Sequence, residues 1–186
     1  IRSYIEEKHV KKAVVIGAGF IGLEAAENLK AKGVTVTVID FADQVLPEIL
    51  DSEMANYVKK HLRNQGIRVL TGTKAEAILG EDQVTGIRTS AGTLPCELII
   101  AAAGIRPNTA FLAESGIELF KGLIKVNTKL ETSLPDVYAA GDCAMVTNRI
   151  TGADKWSPMG SSGNPEGRTL AQILAAQGET STGVLG

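Results

Sequence analysis

The stretch Val14–Leu29, VVIGAGFIGLEAAENL, joins two different periodicities across a glycine-rich turn. Before the turn, Lys12–Ile16 (KAVVI) is an apolar run of strand length; after it, Phe20–Lys32 returns apolar residues at helical spacing. Gly33 stops that helix. Val34–Ile39 (VTVTVI) is β-branched throughout, as expected of a strand buried in a parallel sheet. Strand, turn, helix and strand together make a βαβ unit, and with it an α/β fold.

Gly17, Gly19 and Gly22 stand in GxGxxG spacing, with Ala18 between the first two. Gly17 permits the tight turn, Gly19 leaves room for a pyrophosphate to approach the backbone, and Gly22 lets the helix pack closely on the strand. The N–H groups that open the helix would face the phosphate charge. A lone GxGxxG is often a plain strand-to-helix turn. Here a strand precedes it, a helix follows, and Asp40 ends the next strand eighteen residues beyond Gly22, which together read as a dinucleotide site. Asp40 suits the ribose hydroxyls of NAD(H). From Phe41 to Val58 there is no Lys or Arg, and Asp43 adds negative charge. A carboxylate at about 4 Å repels a 2′-phosphate by ~1–4 kcal/mol, so NADH is expected over NADPH.

Asp51 or Ser52 caps a second helix through MANYVKKHLRNQ, and Gly66 closes it before the strand IRVL. Lys74–Leu94 alternates in short segments with turns at GEDQ and SAGT, the pattern of a three-stranded antiparallel meander. Leu98–Ala102 returns to the core. Beyond it a short helix is predicted at Phe111–Ser115, strands at Ile124–Val126 and Val137–Ala140, a loop over Met145–Gly167, and a last helix from Arg168 to Gln177. The predicted architecture is a Rossmann-like parallel sheet with helices on both faces and the meander packed on one side. The later strands have no complete sheet to join.

A chain of 186 residues with 44% hydrophobic content can bury one good core and part of another. A net charge of -2 leaves no basic excess for nucleic acid. No apolar run approaches the roughly 20 residues of a membrane span, and the N-terminus lacks the apolar segment of a signal peptide. Cys96 and Cys143 lie far apart without CxxC spacing, so neither a disulfide framework nor a metal site is expected, and a cytoplasmic setting fits. His9 and His61 read as solvated. The chain opens without methionine and reaches its first strand almost at once, as a piece of a longer polypeptide would.

Four stretches in order, GAGFIGLEAAENL, VTVIDFADQVLP, LIIAAAGIRPNT, and VYAAGDCA followed by WSPMGSSGNPEGR, carry a resemblance that spans essentially the whole chain. It resembles the pyridine nucleotide-disulfide oxidoreductase family, particularly its NADH oxidases, NADH peroxidases and coenzyme A-disulfide reductases. The resemblance implies an NAD(H)-binding domain over residues 1–113, inserted into an FAD domain whose C-terminal portion is 114–186. It implies that Gly141 and Asp142 meet the FAD ribityl-phosphate region, that Glu24 lies near the nicotinamide carboxamide, that Phe20 and Ile21 lie between nicotinamide and flavin, and that Gly104 lets NAD approach. Without the resemblance, Glu24 is a solvated helix acid and Phe20 a core aromatic.

Two departures stand out: Ala102-Ala103-Gly104 where the family commonly has ATG, and Gly163-Asn164 where it often has AN. The family's redox cysteine has no counterpart. Cys96 and Cys143 read as packing residues, so no catalytic residue is assigned. Trp156 and Met159 fall where the family packs near flavin or a dimer interface, and loop packing suits Trp156 equally.

The resemblance implies hydride transfer from NADH to flavin and on to a disulfide, oxygen or peroxide. The expected partners are the rest of the FAD domain and a C-terminal dimerisation domain, in a parent that is a homodimer. A single glycine-rich loop serves two cofactor signatures, so the chain alone is expected to bind NADH without turning over. The alternative is a self-contained NADH-binding or redox-sensing module without catalysis. A Rossmann dehydrogenase fits less well, since no His, Lys or Tyr stands in a recognisable catalytic setting.

Overall fold

The computed structural model describes residues 1–175, which form two compact units, the first Ile1–Gly104 and the second starting at Ile105. Leu112 packs in the second unit's core, and the Thr109 hydroxyl donates to the Gly122 carbonyl (2.5 Å).

In the first unit, strands β1 (Lys12–Ile16), β2 (Thr35–Ile39), β3 (Arg68–Leu70) and β7 (Leu98–Ala101) form a parallel sheet in the order β3-β2-β1-β7. Side chains alternate across it. Ala13, Val15, Val36 and Val38 join a core with Ile5 of α1 (Arg2–Lys8), Leu23, Ala26 and Leu29 of α2 (Phe20–Ala31), and Ala55 and Leu62 of α3 (Ser52–Asn64). Val14, Ile16 and Ile99 point the other way, onto Ala75, Ile87 and Leu94 of the meander β4 (Ala75–Leu79), β5 (Gly86–Thr89) and β6 (Gly92–Pro95). The α/β fold and its antiparallel meander therefore stand as expected. Helices on both faces do not: all three helices of this unit bury their residues in one core, and the meander takes the opposite face. Period-two alternation shows that a strand has two apolar faces without saying what covers each. Helix α3 begins as predicted, with Asp51 accepting the Met54 N–H (2.9 Å).

The second unit departs further. Strands β8 (Leu119–Phe120), β9 (Leu123–Lys125), β10 (Ala144–Thr147) and β11 (Asp154–Lys155) make one sheet in the order β11-β10-β9-β8, so the expected strand near Ile124 has a sheet to join. Val137–Ala140 is not a strand of that sheet. It makes a single bridge, Tyr138 to Glu131, and the chain turns at Gly141 (φ 81) before pairing as β10 with β9. Phe111–Ser115 forms only a short 3-10 turn, Ala110–Leu112.

The expected loop over 145–167 instead holds β10, β11 and the first part of α4 (Gly160–Leu174). Glycine, serine and a proline in that helix concealed its start, because they weaken helical propensity and leave little apolar periodicity. Residues Ala176 and Gln177 of the predicted last helix lie outside the described residues. Among the described residues no helix is long and apolar enough to cross a membrane.

Candidate functional site

Strand register brings three chain segments together. Ile16 is level with Ile39 on one side and Ala101 on the other, so Gly17, Asp40 and Ala102 leave the sheet side by side at its carboxyl edge. The strand order reverses direction at β1, the position where open α/β sheets form a ligand crevice.

Gly17 has φ 107, and a Cβ there would stand 2.3 Å from the Ala102 carbonyl oxygen. Only glycine fits. A Cβ on Gly22 would stand 1.9 Å from the Gly17 carbonyl oxygen, so helix and loop are in direct backbone contact. Gly19, by contrast, opens onto free space and caps α2 in an extended conformation. The first-turn N–H groups of α2 have no carbonyl one turn earlier, and no acidic residue lies in that turn. A partial positive charge and an open approach therefore coincide at Gly19.

Asp40 is bound more tightly than the sequence implied. Its Oδ2 accepts the Ala18 N–H (2.6 Å) and its Oδ1 accepts the Ala42 N–H (2.8 Å). The Ala18 carbonyl in turn accepts the Leu46 N–H (3.0 Å), and Ala18 is wholly buried. One half-buried carboxylate thus ties the glycine turn to the loop after β2. An ionised carboxylate has about four lone-pair directions, so two bonds leave capacity for ribose hydroxyls.

Phe20 and Ile21 are 64% and 66% exposed, an apolar pair at the mouth of the turn, and Phe20 is not the core aromatic of the bland reading. Glu24, one turn on, is exposed, and so is Gly104 (φ 93) beyond the end of β7.

In the second unit the Gly141–Asp142 turn is held by bonds on each side. Gly141 N–H donates to Glu166 Oε2 (2.7 Å), its carbonyl accepts the Ala144 N–H (2.9 Å), and the Trp156 indole N–H donates to the Asp142 carbonyl (2.8 Å). Helix α4 lies against the turn at Gly163, where a Cβ would stand 3.4 Å from the Gly141 Cα, an ordinary contact distance. Gly141 itself opens onto free space, and Asp142 is exposed.

Burial pushes the Glu166 carboxyl above its ordinary value; the Gly141 N–H opposes this and the Asp142 charge adds to it. Sequence reasoning missed Glu166 altogether and left Trp156 undecided. A signal for Glu166 existed in its spacing from Gly163, three residues apart and so on one helix face.

The two thiols are poorly placed for nucleophilic work. Burial raises both, with Glu97 adding to Cys96 and Asp142 and Glu166 to Cys143, although a bond at Cys143's own backbone lowers the latter. Both pack beside apolar side chains.

The chain is similar to known proteins in sequence and in fold. A NADH oxidase of Methanocaldococcus jannaschii is 39% identical over 94% of this chain and 39% of its own length. A CoA-dependent NAD(P)H sulfur oxidoreductase of Pyrococcus furiosus is 35% identical over all of this chain and 42% of its own. The chain thus spans about 40% of the length of these two curated relatives.

Among solved structures, a water-forming NADH oxidase from Lactobacillus brevis bound to NADH superposes with a TM-score of 0.89 at 28% identity, over 98% of this chain and 41% of that one. An engineered NADPH oxidase made from it, bound to NADPH, matches with the same score at 26% identity and the same coverage. Residues 2–177 match the profile of the pyridine nucleotide-disulphide oxidoreductases, and the chain belongs to that family.

Proposed function

We propose that the first unit is the NADH-binding domain of a flavin-dependent NADH oxidoreductase, and that the second contributes the C-terminal portion of its split FAD domain. In this reading the pyrophosphate of NADH docks at Gly19 against the first turn of α2. Asp40 receives the adenosine ribose, while Phe20, Ile21, Glu24 and Gly104 border the nicotinamide half. Gly141 and Asp142 would hold FAD. The exposed Asp142 carboxylate on an open glycine turn suits a polyol chain of hydroxyls.

A bound flavin supplies hydride acceptance and onward electron transfer. The chain's own residues bind, orient and exclude water. The exposed Phe20–Ile21 pair provides an apolar surface, and Asp40 fixes the loop geometry before any ligand arrives. The acceptor beyond flavin is a disulfide, oxygen or peroxide, in keeping with the oxidase and sulfur-reductase names of the relatives. The remainder of the FAD domain and a dimerisation domain would come from the parent polypeptide, a homodimer.

The observation that carries this proposal is the open, acid-free helix start at Gly19 beside the carboxylate of Asp40. Its preference for NADH has a second support. The engineered oxidase replaces a Gly, then three consecutive residues beginning with Asp eighteen positions on, then a Pro five positions after those, and it introduces two Arg. Gly22, Asp40 and Pro47 stand at the same spacing here with the residues that the engineering removed.

Titration calorimetry tests the proposal. NADH is expected to bind at least about fivefold more tightly than NADPH, the lower end of the ~1–4 kcal/mol repulsion a 2′-phosphate meets. Tighter binding of NADPH, or no heat from either nucleotide with a folded sheet, overturns it.

The second reading, a self-contained NADH-sensing module, draws on one observation: the second unit has its own four-stranded sheet and core. It predicts undiminished NADH affinity in a chain that never acquires flavin from any partner segment.

A further inference from the structure

Helix α4 buries a single residue among those described, and that residue is an acid, Glu166, 7% exposed. Helices bury leucine or valine by default, because placing a carboxylate out of water is costly unless a specific bond compensates. The bond here is unambiguous. Glu166 Oε2 accepts the Gly141 N–H at 2.7 Å, and Gly163 of the same helix lies beside Gly141. A second group acts on the next residue: the Trp156 indole holds the Asp142 carbonyl. With the Ala144 N–H on the Gly141 carbonyl, three main-chain groups of a two-residue turn are engaged. None of these bonds uses the Asp142 side chain, which is exposed.

We propose that Glu166 is a positioning residue. Its carboxylate and the Trp156 indole lock the Gly141–Asp142 backbone so that the Asp142 carboxylate is presented outward, ready-oriented for the flavin's ribityl-phosphate region. This rests on the reading of that turn as part of an FAD site. The physical content is preorganisation: a turn held by a charge-assisted bond before the ligand arrives loses less freedom on binding. The raised carboxyl of Glu166 fits a group whose burial serves the turn more than the stability of the helix.

The test uses the full polypeptide that carries this chain, loaded with FAD, with release of flavin followed by the recovery of its fluorescence. Glu166→Met keeps the volume and removes the acceptor together with a carboxylate whose burial is costly, two effects of opposite sign on stability, so the protein should fold with a melting temperature close to that of the unmodified form. Its flavin release is expected to be about tenfold faster, the loss of one bond to a backbone N–H. Glu166→Gln keeps an oxygen for Gly141 and should restore release to within about twofold, and Trp156→Phe should show an intermediate increase.

A merely structural Glu166 predicts the opposite split, a shifted melting temperature with unchanged release. Unchanged release in Glu166→Met, or release in Glu166→Gln as fast as in Glu166→Met, overturns the proposal. If Glu166→Met does not fold, Trp156→Phe decides, and unchanged release there overturns it. An unmodified polypeptide that retains no flavin at all refutes the FAD reading itself, a result visible before any variant is made.

Discussion

Two glycine turns, one in each unit, are built on the same device reached by different routes. At Gly17–Gly19 the carboxylate of Asp40 takes the Ala18 N–H; at Gly141–Asp142 the carboxylate of Glu166 takes the Gly141 N–H. In each case a side-chain anion replaces a neighbouring strand as the partner of a turn amide that would otherwise lack one. The routes differ in packing. The first turn is hemmed in by backbone, with Ala102 against Gly17 and Gly17 against Gly22; the second faces open space at Gly141 and is held mainly by side chains. The first therefore tolerates no added atom at Gly17, while the second depends on the residues that grip it.

Alanine at the two turn glycines should expose this contrast most strongly. Gly17→Ala combines a positive φ with a Cβ 2.3 Å from a carbonyl oxygen, so a loss of about 3 kcal/mol or more is expected, together with loss of NADH binding. Gly141→Ala carries the φ penalty alone, about 1–2 kcal/mol. Urea unfolding of both variants measures the difference, and equal losses would show that the crowding at Gly17 relaxes.

Asp40→Ala comes next. Two main-chain N–H groups lose their acceptor, so stability without any nucleotide should fall by about 2–3 kcal/mol, alongside weaker NADH binding. An acid serving only the ribose would leave the nucleotide-free melting curve where it was.

The smallest effects concern acidity, and two acids should respond with opposite signs. Glu166 has its carboxyl raised when folded, so its ionisation opposes folding. Relative to Glu166→Gln, the unmodified protein should lose stability as pH rises from about the ordinary 4.5 upward, the cause being burial and, secondarily, the Asp142 charge. Glu97 is the reverse. Its carboxylate accepts the Lys11 and Lys12 N–H groups at 2.5 and 3.1 Å, which hold its carboxyl below 4.5. The stability it adds is present at neutral pH and lost on acidification below 4.5; exposure to solvent keeps it small. Melting temperatures of Glu166→Gln and Glu97→Gln against the unmodified protein across pH would reveal parallel slopes if either sign is mistaken.

The first turn was legible from residues because a βαβ unit is local. One strand, one helix and the next strand place Asp40 beside Gly17 by their lengths alone, and the alternating apolar pattern marks each element. Its second duty, clamping Ala18, was not legible, since hydrogen bonding to a main-chain amide leaves no mark on composition. The second turn was legible only as a GD dipeptide within a family pattern. Its partner Glu166 lies in a helix whose first residues, GSSGNP, carry turn composition, and strand β10 follows Gly141 where the apolar VYAA before it had suggested the strand.

From residues alone, then, came the α/β class, the meander, the glycine loop with its acid, and the family, because these depend on short-range periodicity and on motif order. Folding in three dimensions settled which face of the parallel sheet the helices cover, which strands the second unit pairs, and which buried acid holds its turn. Those choices rest on contacts between segments far apart in the chain, where the free energy belongs to a pair of surfaces and neither sequence segment records its partner.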